Sequence, residues 1–274
     1  MPTDRAQPEH GPAGERRQDT SVGSIELTHW RRRLGHRMAQ LARWLGEVVT
    51  PYGILLITLA VGAAIAFGFS LLAVEVYDAV TDEDGIAGID RPVLDAILTI
   101  RSPGADAFVT GFTDLAGTVG MPLVAVAALL ILSIRRRSWT PTVLIVATGA
   151  GSLLMTVAGK LLIGRDRPPI IDAVPPYEVS ASFPSGHTLN AAAILGVIAY
   201  LLILRRLTTW SRVLIVVVAV VASLLVAASR VYLGHHWVTD VVAGWALGAA
   251  WLALVITAHR LYLTSRLRHD EAAA

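Results

Sequence analysis

Gly53 to Val74 is a run of 22 residues without a charged side chain. A bilayer core about 30 Å thick takes about 20 residues of helix to cross, and a backbone in hydrocarbon must satisfy its own hydrogen bonds. A membrane-spanning helix is the structure such a run can form. Predominantly apolar runs recur at Leu115 to Ile134, Ser138 to Ile163, His187 to Leu204, Val213 to Ser229 and Trp237 to Ala258. Together they predict an all-α fold, a bundle of six transmembrane helices. The charged fraction of 16% follows from these runs. Soluble domains carry about 25%.

The segments around the spans set the organisation. Residues 1–30 are rich in Pro, Gly, Gln, Asp and Arg and lack apolar periodicity, so they read as a disordered tail. No apolar stretch near Met1 resembles a cleavable signal peptide. Across 31–50, Arg31, Arg32, Arg33, Arg37 and Arg43 alternate with Trp30, Leu34, Met38, Leu41 and Trp44, the pattern of a basic amphipathic helix on a membrane surface. The six-span domain then occupies 51–262, and 263–274 form a second tail. Glu75 to Asp114 holds nine acidic and two basic residues, with short interfacial helices expected at Pro92 to Ile100 and Asp106 to Leu115.

Six spans put both termini on one side. The connections on that side carry Arg135, Arg136, Arg137, Arg205, Arg206, Arg212 and Arg260, and cytoplasmic loops are the ones enriched in Arg. The expected protein is a multi-pass cell-membrane protein with cytoplasmic termini. Its loops 75–114, 164–186 and 230–236 face outward. A net charge of +2 gives no footprint for nucleic acid. The absence of cysteine excludes disulfides and thiolate metal sites. Gly244 and Gly248 form a small-xxx-small pair and read as helix packing.

Three polar clusters fall on the outer side. In the first, the only lysine, Lys160, ends a span and is followed by Arg165 and Arg167-Pro168. Bases are disfavoured on that side, so these three call for an anion. The second is Phe183-Pro184-Ser185-Gly186-His187-Thr188, where a polar loop meets an apolar run. Pro184, Ser185 and Gly186 are helix-start residues, with Ser185 as the cap. The first amides of a helix lack internal partners and favour an anion. His187 stands at the rim of that site. In the third cluster, Arg230 ends a span, and His236 and Asp240 lie four residues apart on one helix face. A carboxylate on one ring nitrogen fixes the tautomer and leaves the other nitrogen free as nucleophile or base. A His/Asp metal pair is the competing reading, but it lacks further ligands nearby. His235 points about 100° away from His236 on a helix and is left outside the chemistry.

A pocket of several cations, one helix N-terminus and two histidines suits a doubly charged tetrahedral anion. Two histidines suit phosphoryl transfer through a covalent intermediate, one attacking and one protonating the leaving group. Lys160, six residues, Arg167-Pro168; then Pro184-Ser185-Gly186-His187; then Ser229-Arg230, five residues, His236, three residues, Asp240: this order resembles the three-part signature of the type 2 phosphatidic acid phosphatase (PAP2) superfamily. That superfamily includes vanadium haloperoxidases and bacterial acid phosphatases. The resemblance covers 160–240 without departure at a signature position. It implies that His236 is the nucleophile, that Asp240 orients it, and that His187 serves as acid and then base. It implies that Lys160, Arg167, Ser185, Gly186 and Arg230 hold the phosphoryl oxygens, with no metal and no cofactor. Arg165 and Pro168 receive no role. The expected function is hydrolysis of a lipid phosphomonoester or diphosphate on the outer side, such as phosphatidic acid, phosphatidylglycerol phosphate or undecaprenyl diphosphate. The alternatives are a phosphotransferase using the same site and a lipid or anion transporter. The transporter would be expected to show inverted repeats or broken helices, and neither is present in the sequence.

Overall fold

The computed structural model describes residues 18–30, 35–38, 40 and 86–272. The first expected span, Gly53 to Val74, and most of the 31–50 amphipathic segment lie outside these residues. Seven helices follow in the described chain: α1 (Asp90–Leu98), α2 (Pro103–Asp114), α3 (Gly120–Arg136), α4 (Thr140–Ile163), α5 (Gly186–Ile203), α6 (Thr209–Tyr232) and α7 (Val238–Ala272). α1 and α2 fall where the two interfacial helices were expected. Ser102 caps α2 through its side chain, and Pro103 opens that helix.

Among the described residues, four helices are long and apolar enough to cross a membrane: Thr140–Ile163, Gly186–Ile203, Thr209–Tyr232 and Val238–Arg266. α3 is apolar, has 17 residues and ends at Arg135 and Arg136. At 35 residues, α7 is roughly 50 Å long by helical rise, so it outruns a bilayer core. It continues as helix to Ala272 through much of the segment expected as a tail.

α5 is the central element, packed on α4, α6, α7 and α3. Its Leu189, Val197 and Leu201 are fully buried with Leu144, Met155, Trp251 and Val255 of the flanking helices. Burial on most sides explains why α5 carries almost no polar face. α6 is the opposite case. Val213, Leu214, Val217, Val218, Val221, Leu224 and Leu225 are exposed along it, as lipid-facing residues are.

α7 approaches α5 at its glycines. A methyl group at Gly244 would stand 2.8 Å from the carbonyl oxygen of Ser185, and one at Gly248 would stand 2.6 Å from that of Leu189. Backbone cannot yield as a side chain can. Gly244→Ala should therefore destabilise the protein by about 1–3 kcal/mol and lower activity with it, because the obstructed turn is the start of α5. Thermal unfolding in detergent reads this out. An unchanged midpoint would refute the close approach.

The disordered tail expected over 1–30 is met differently in its described part. Residues 18–30 form a short hairpin, Ser21–Val22 paired antiparallel with Ile25–Glu26. It sits at the arginine-rich end of the bundle. Asp19 is buried and paired with Arg136 at 3.5 Å and Arg205 at 3.2 Å. Arg260 donates to the Leu27 carbonyl at 2.7 Å and stacks 4.4 Å over Trp30. The bases read from sequence as membrane-side charges thus also hold this hairpin.

Candidate active site

The opposite end of the bundle gathers the C-termini of α4 and α6 with the N-termini of α5 and α7. Lys160 lies one turn beyond Thr156 on α4, so both face the same way. Gly164, at φ +61, ends the helix in the left-handed conformation. The 164–185 loop folds back through Ser182 N–H to the Arg165 carbonyl at 2.8 Å. After α6, Gly234 at φ +69 turns the chain, and the amides of His235 and His236 both donate to the Arg230 carbonyl, at 3.1 and 3.3 Å. His236 therefore precedes α7, and its carboxylate partner Asp240 comes from the first turn.

A cleft of about 880 Å³ opens here. Lys160, Gly186, His187, Arg230 and His236 line it, together with Glu178 and His235. Leu115, Ala116, Val119 and Leu153 give it an apolar wall. The turn after α2 comes close above His187: a methyl group at Gly117 would stand 3.4 Å from its Nε2.

His236 is almost wholly buried and has two distinct faces. Nδ1 lies 3.5 Å from Asp240 Oδ2 and 3.4 Å from Ser182 Oγ. Nε2 lies 3.3 Å from Arg167 Nη1. With a donor at Nε2 and a carboxylate at Nδ1, the proton belongs on Nδ1 and the lone pair on Nε2. Burial, with the neighbouring guanidinium charges of Arg167 and Arg230, outweighs the opposing Asp240 and holds the ring down to about 4. It is neutral at physiological pH.

The cations are arranged around a carboxylate. Glu178 pairs with Arg167 Nη2 at 2.7 Å and with Arg230. Burial alone would raise its carboxyl, but Arg230 and Arg167 overcome that and hold it down to about 2. Arg167 also donates to the carbonyls of Ser180 at 2.7 Å and His235 at 2.5 Å. Lys160 donates to Ser180 Oγ at 3.1 Å and to the Ala181 carbonyl. Arg230 is 2% exposed and reaches Thr113 Oγ1 at 3.4 Å. Arg167 and Arg230 thus share Glu178, and Lys160 and Arg167 share Ser180 Oγ, which makes a cationic cradle around that carboxylate.

Of the site residues singled out from the sequence, Arg167, Ser185 and Asp240 are not among those that line the cleft. Asp240 stands behind His236, as expected. Ser185 is fully buried and starts α5 without the side-chain cap bond expected of it. Its hydroxyl accepts from Thr188 at 3.1 Å, and its amide donates to the Asp240 carbonyl at 3.2 Å. His235 donates Nε2–H to the Val174 carbonyl at 2.6 Å, a tie to the 164–185 loop. It is held below its ordinary pKa by burial. Among the described residues, no group of three or more His, Asp and Glu is placed to hold a metal ion. Glu178, Ser182, Asp90 and Thr239 were not marked by any sequence pattern.

Residues 140–262 match the family model of the PAP2 superfamily. The chain is 35% identical over 175 residues to phosphatidylglycerophosphatase B of Bacillus subtilis, covering 63% of this chain and 84% of that protein. It is 31% identical over 205 residues to lipid A 4'-phosphatase of Bacteroides thetaiotaomicron, covering 68% of this chain and 83% of that protein. The crystal structure of the first transmembrane PAP2 type phosphatidylglycerolphosphate phosphatase from Bacillus subtilis superposes with a TM-score of 0.61 at 31% identity, over 70% of this chain and 93% of that one. The buried His236–Asp240 pair, the cationic cleft and these likenesses lead to one conclusion: the chain belongs to the PAP2 superfamily and is a membrane phosphatase.

Proposed function

We propose that the protein hydrolyses a lipid phosphomonoester or diphosphate through a phosphohistidine on His236, with its cleft on the extracytoplasmic side of a six-span bundle. The observation that carries this reading is the two-faced His236 ring. Asp240 holds Nδ1, and the neutral Nε2 lone pair is turned to a cationic cleft. Nε2 attacks phosphorus, and the bond from phosphorus to the leaving oxygen breaks. His187 gives its proton to that oxygen. Water then attacks phosphorus, the P–N bond breaks, and His187 takes the water's proton. The products are the dephosphorylated lipid and inorganic phosphate. Lys160, Arg167, Arg230 and the Gly186 amide stabilise charge on the equatorial oxygens, the work that magnesium does in many phosphoryl transfers. The place of Ser185 is to hold the start of α5 in position.

The apolar wall at Leu115, Val119 and Leu153 suits an acyl or prenyl chain, and the cradle suits its phosphate. Phosphatidic acid, phosphatidylglycerol phosphate and undecaprenyl diphosphate all have that form. The named relatives act on differing lipid phosphates, so the shared chemistry is the phosphate end. The test is purified protein in detergent, assayed for phosphate release from a panel of these lipids with and without EDTA. Release that survives chelation is expected. No release from any lipid would remove the proposal, and loss on chelation restored by a divalent metal would remove its metal-free mechanism.

A further inference from the structure

We infer that Arg165 and Asp90 are positioning residues of this site, forming a buried charged strut that holds Asp240 in the orientation His236 requires. The inference rests on the phosphatase reading above.

Asp240 divides its two oxygens. Oδ2 faces His236 and accepts from Ser182 Oγ at 2.5 Å and from Trp237 N–H at 3.0 Å. Oδ1 accepts from Arg165 Nη1 at 2.6 Å. The same nitrogen reaches Thr239 Oγ1 at 2.6 Å, and Arg165 Nη2 reaches Asp90 Oδ2 at 2.7 Å. Asp90 in turn accepts from Thr239 N–H at 3.0 Å and from Thr239 Oγ1 at 2.6 Å. The Arg165, Asp90 and Asp240 side chains are 9%, 5% and 0% exposed. The guanidinium also lies 5.8 Å over the Trp237 ring.

Such a chain is costly to bury unless every charge is paired and bonded. A carboxylate between a ring and solvent could do without it, but Asp240 has no solvent. Its plane is set by what grips Oδ1, and a fork-shaped guanidinium fixes that plane where an ammonium would not. When His236 gains a phosphoryl group its ring becomes cationic. The strut then brings Asp90, Arg165, Asp240 and the ring to zero net charge, so the intermediate gains what the free enzyme does not. Asp90 comes from α1, outside the 140–262 span of the family match. The α1 segment is thereby part of the site.

The experiment compares Arg165→Gln, Arg165→Lys, Asp90→Asn and Asp240→Asn, alone and combined, in purified full-length protein. Each is measured for kcat, KM and inhibition by inorganic phosphate. Arg165→Gln should lower kcat by about 100-fold, the cost of a small misplacement of reacting groups. KM and phosphate inhibition should stay near wild type, because the cradle is intact. Arg165→Lys should recover only part of the loss. Combining Arg165→Gln with Asp240→Asn should be no worse than Asp240→Asn alone. A purely structural role would lower the melting temperature without this coupling. Should Arg165→Gln fail to fold, Asp90→Asn carries the test: a kcat loss that vanishes in the Asp240→Asn background supports the strut. Wild-type kcat in a folded variant, or losses that multiply with Asp240→Asn, would overturn it. If wild-type protein releases phosphate and His236→Ala does not, that outcome sinks the strut alone and leaves the phosphatase reading standing.

Discussion

His236→Ala yields a folded protein with no measurable phosphate release, a loss of at least about 10⁴-fold in kcat. Folding survives because Asp240 is not orphaned by the change. Its oxygens still accept from Arg165, Ser182 and the Trp237 amide. The chemistry does not survive, because the cradle alone can bind phosphate but offers no atom to attack it. The pH profile carries the same signature. A free histidine would lose its lone pair near 6.5, whereas burial keeps this ring neutral down to about 4. kcat/KM should therefore persist as pH falls past 6.5, with its acid limb closer to 4. His187→Ala should behave differently: severe with lipid alcohols as leaving groups, mild with an activated aryl phosphate that leaves without a proton. Near-normal turnover by His236→Ala, measured as phosphate release on protein with a normal melting curve, would remove the nucleophile.

Arg230→Ala should cost 10²–10³-fold in kcat/KM, roughly the loss of one preorganised donor to a transition-state oxygen. Arg230 is buried at 2% exposure and braced by Thr113 from α2, so its position is fixed before substrate arrives. Arg230→Lys keeps the charge but not the fork, and should fall between the two. Glu178→Gln moves the other way for binding. Its carboxylate lies against Arg167 and Arg230, where the proposal puts a phosphoryl group, so an incoming phosphate must displace it. Neutralising it leaves two guanidinium groups seeking an anion. Inorganic phosphate should then inhibit more strongly and raise the melting temperature further than in wild type. Weaker phosphate inhibition in Glu178→Gln would show that this carboxylate lies outside the phosphate site.

The long helices were legible because a bilayer fixes both length and composition: α4, α5 and α6 fall close to their expected limits, while α7 starts where expected and runs on past Ala258 to Ala272. Lys160, Arg167 and Arg230 stood out in the sequence because bases on the side read there as outward run against the charge rule, His187 because it follows a helix start, and His236 because Asp240 lies four residues on. Asp90 and Glu178 did not stand out, since each is one acid in a connecting segment that holds several. Only folding brings Asp90 against Arg165, 75 positions away in sequence. Ser185 looked like a helix cap from its neighbours, but its hydroxyl turns inward to Thr188. The hairpin at 18–30 was hidden by its composition. A polar, Gly-bearing segment reads as disordered unless partners such as Arg136 and Arg260 are known to await it.

The central claim is that phosphorus is bonded to His236 during turnover. Rapid quenching of the enzyme with a phosphate-labelled lipid, in base, followed by peptide mass spectrometry, tests it directly. The account predicts a phosphorylated peptide carrying its label on His236, stable to base and lost in acid, and absent from His236→Ala. Label on another residue, or full turnover with no enzyme-bound phosphate at any quench time, would contradict it.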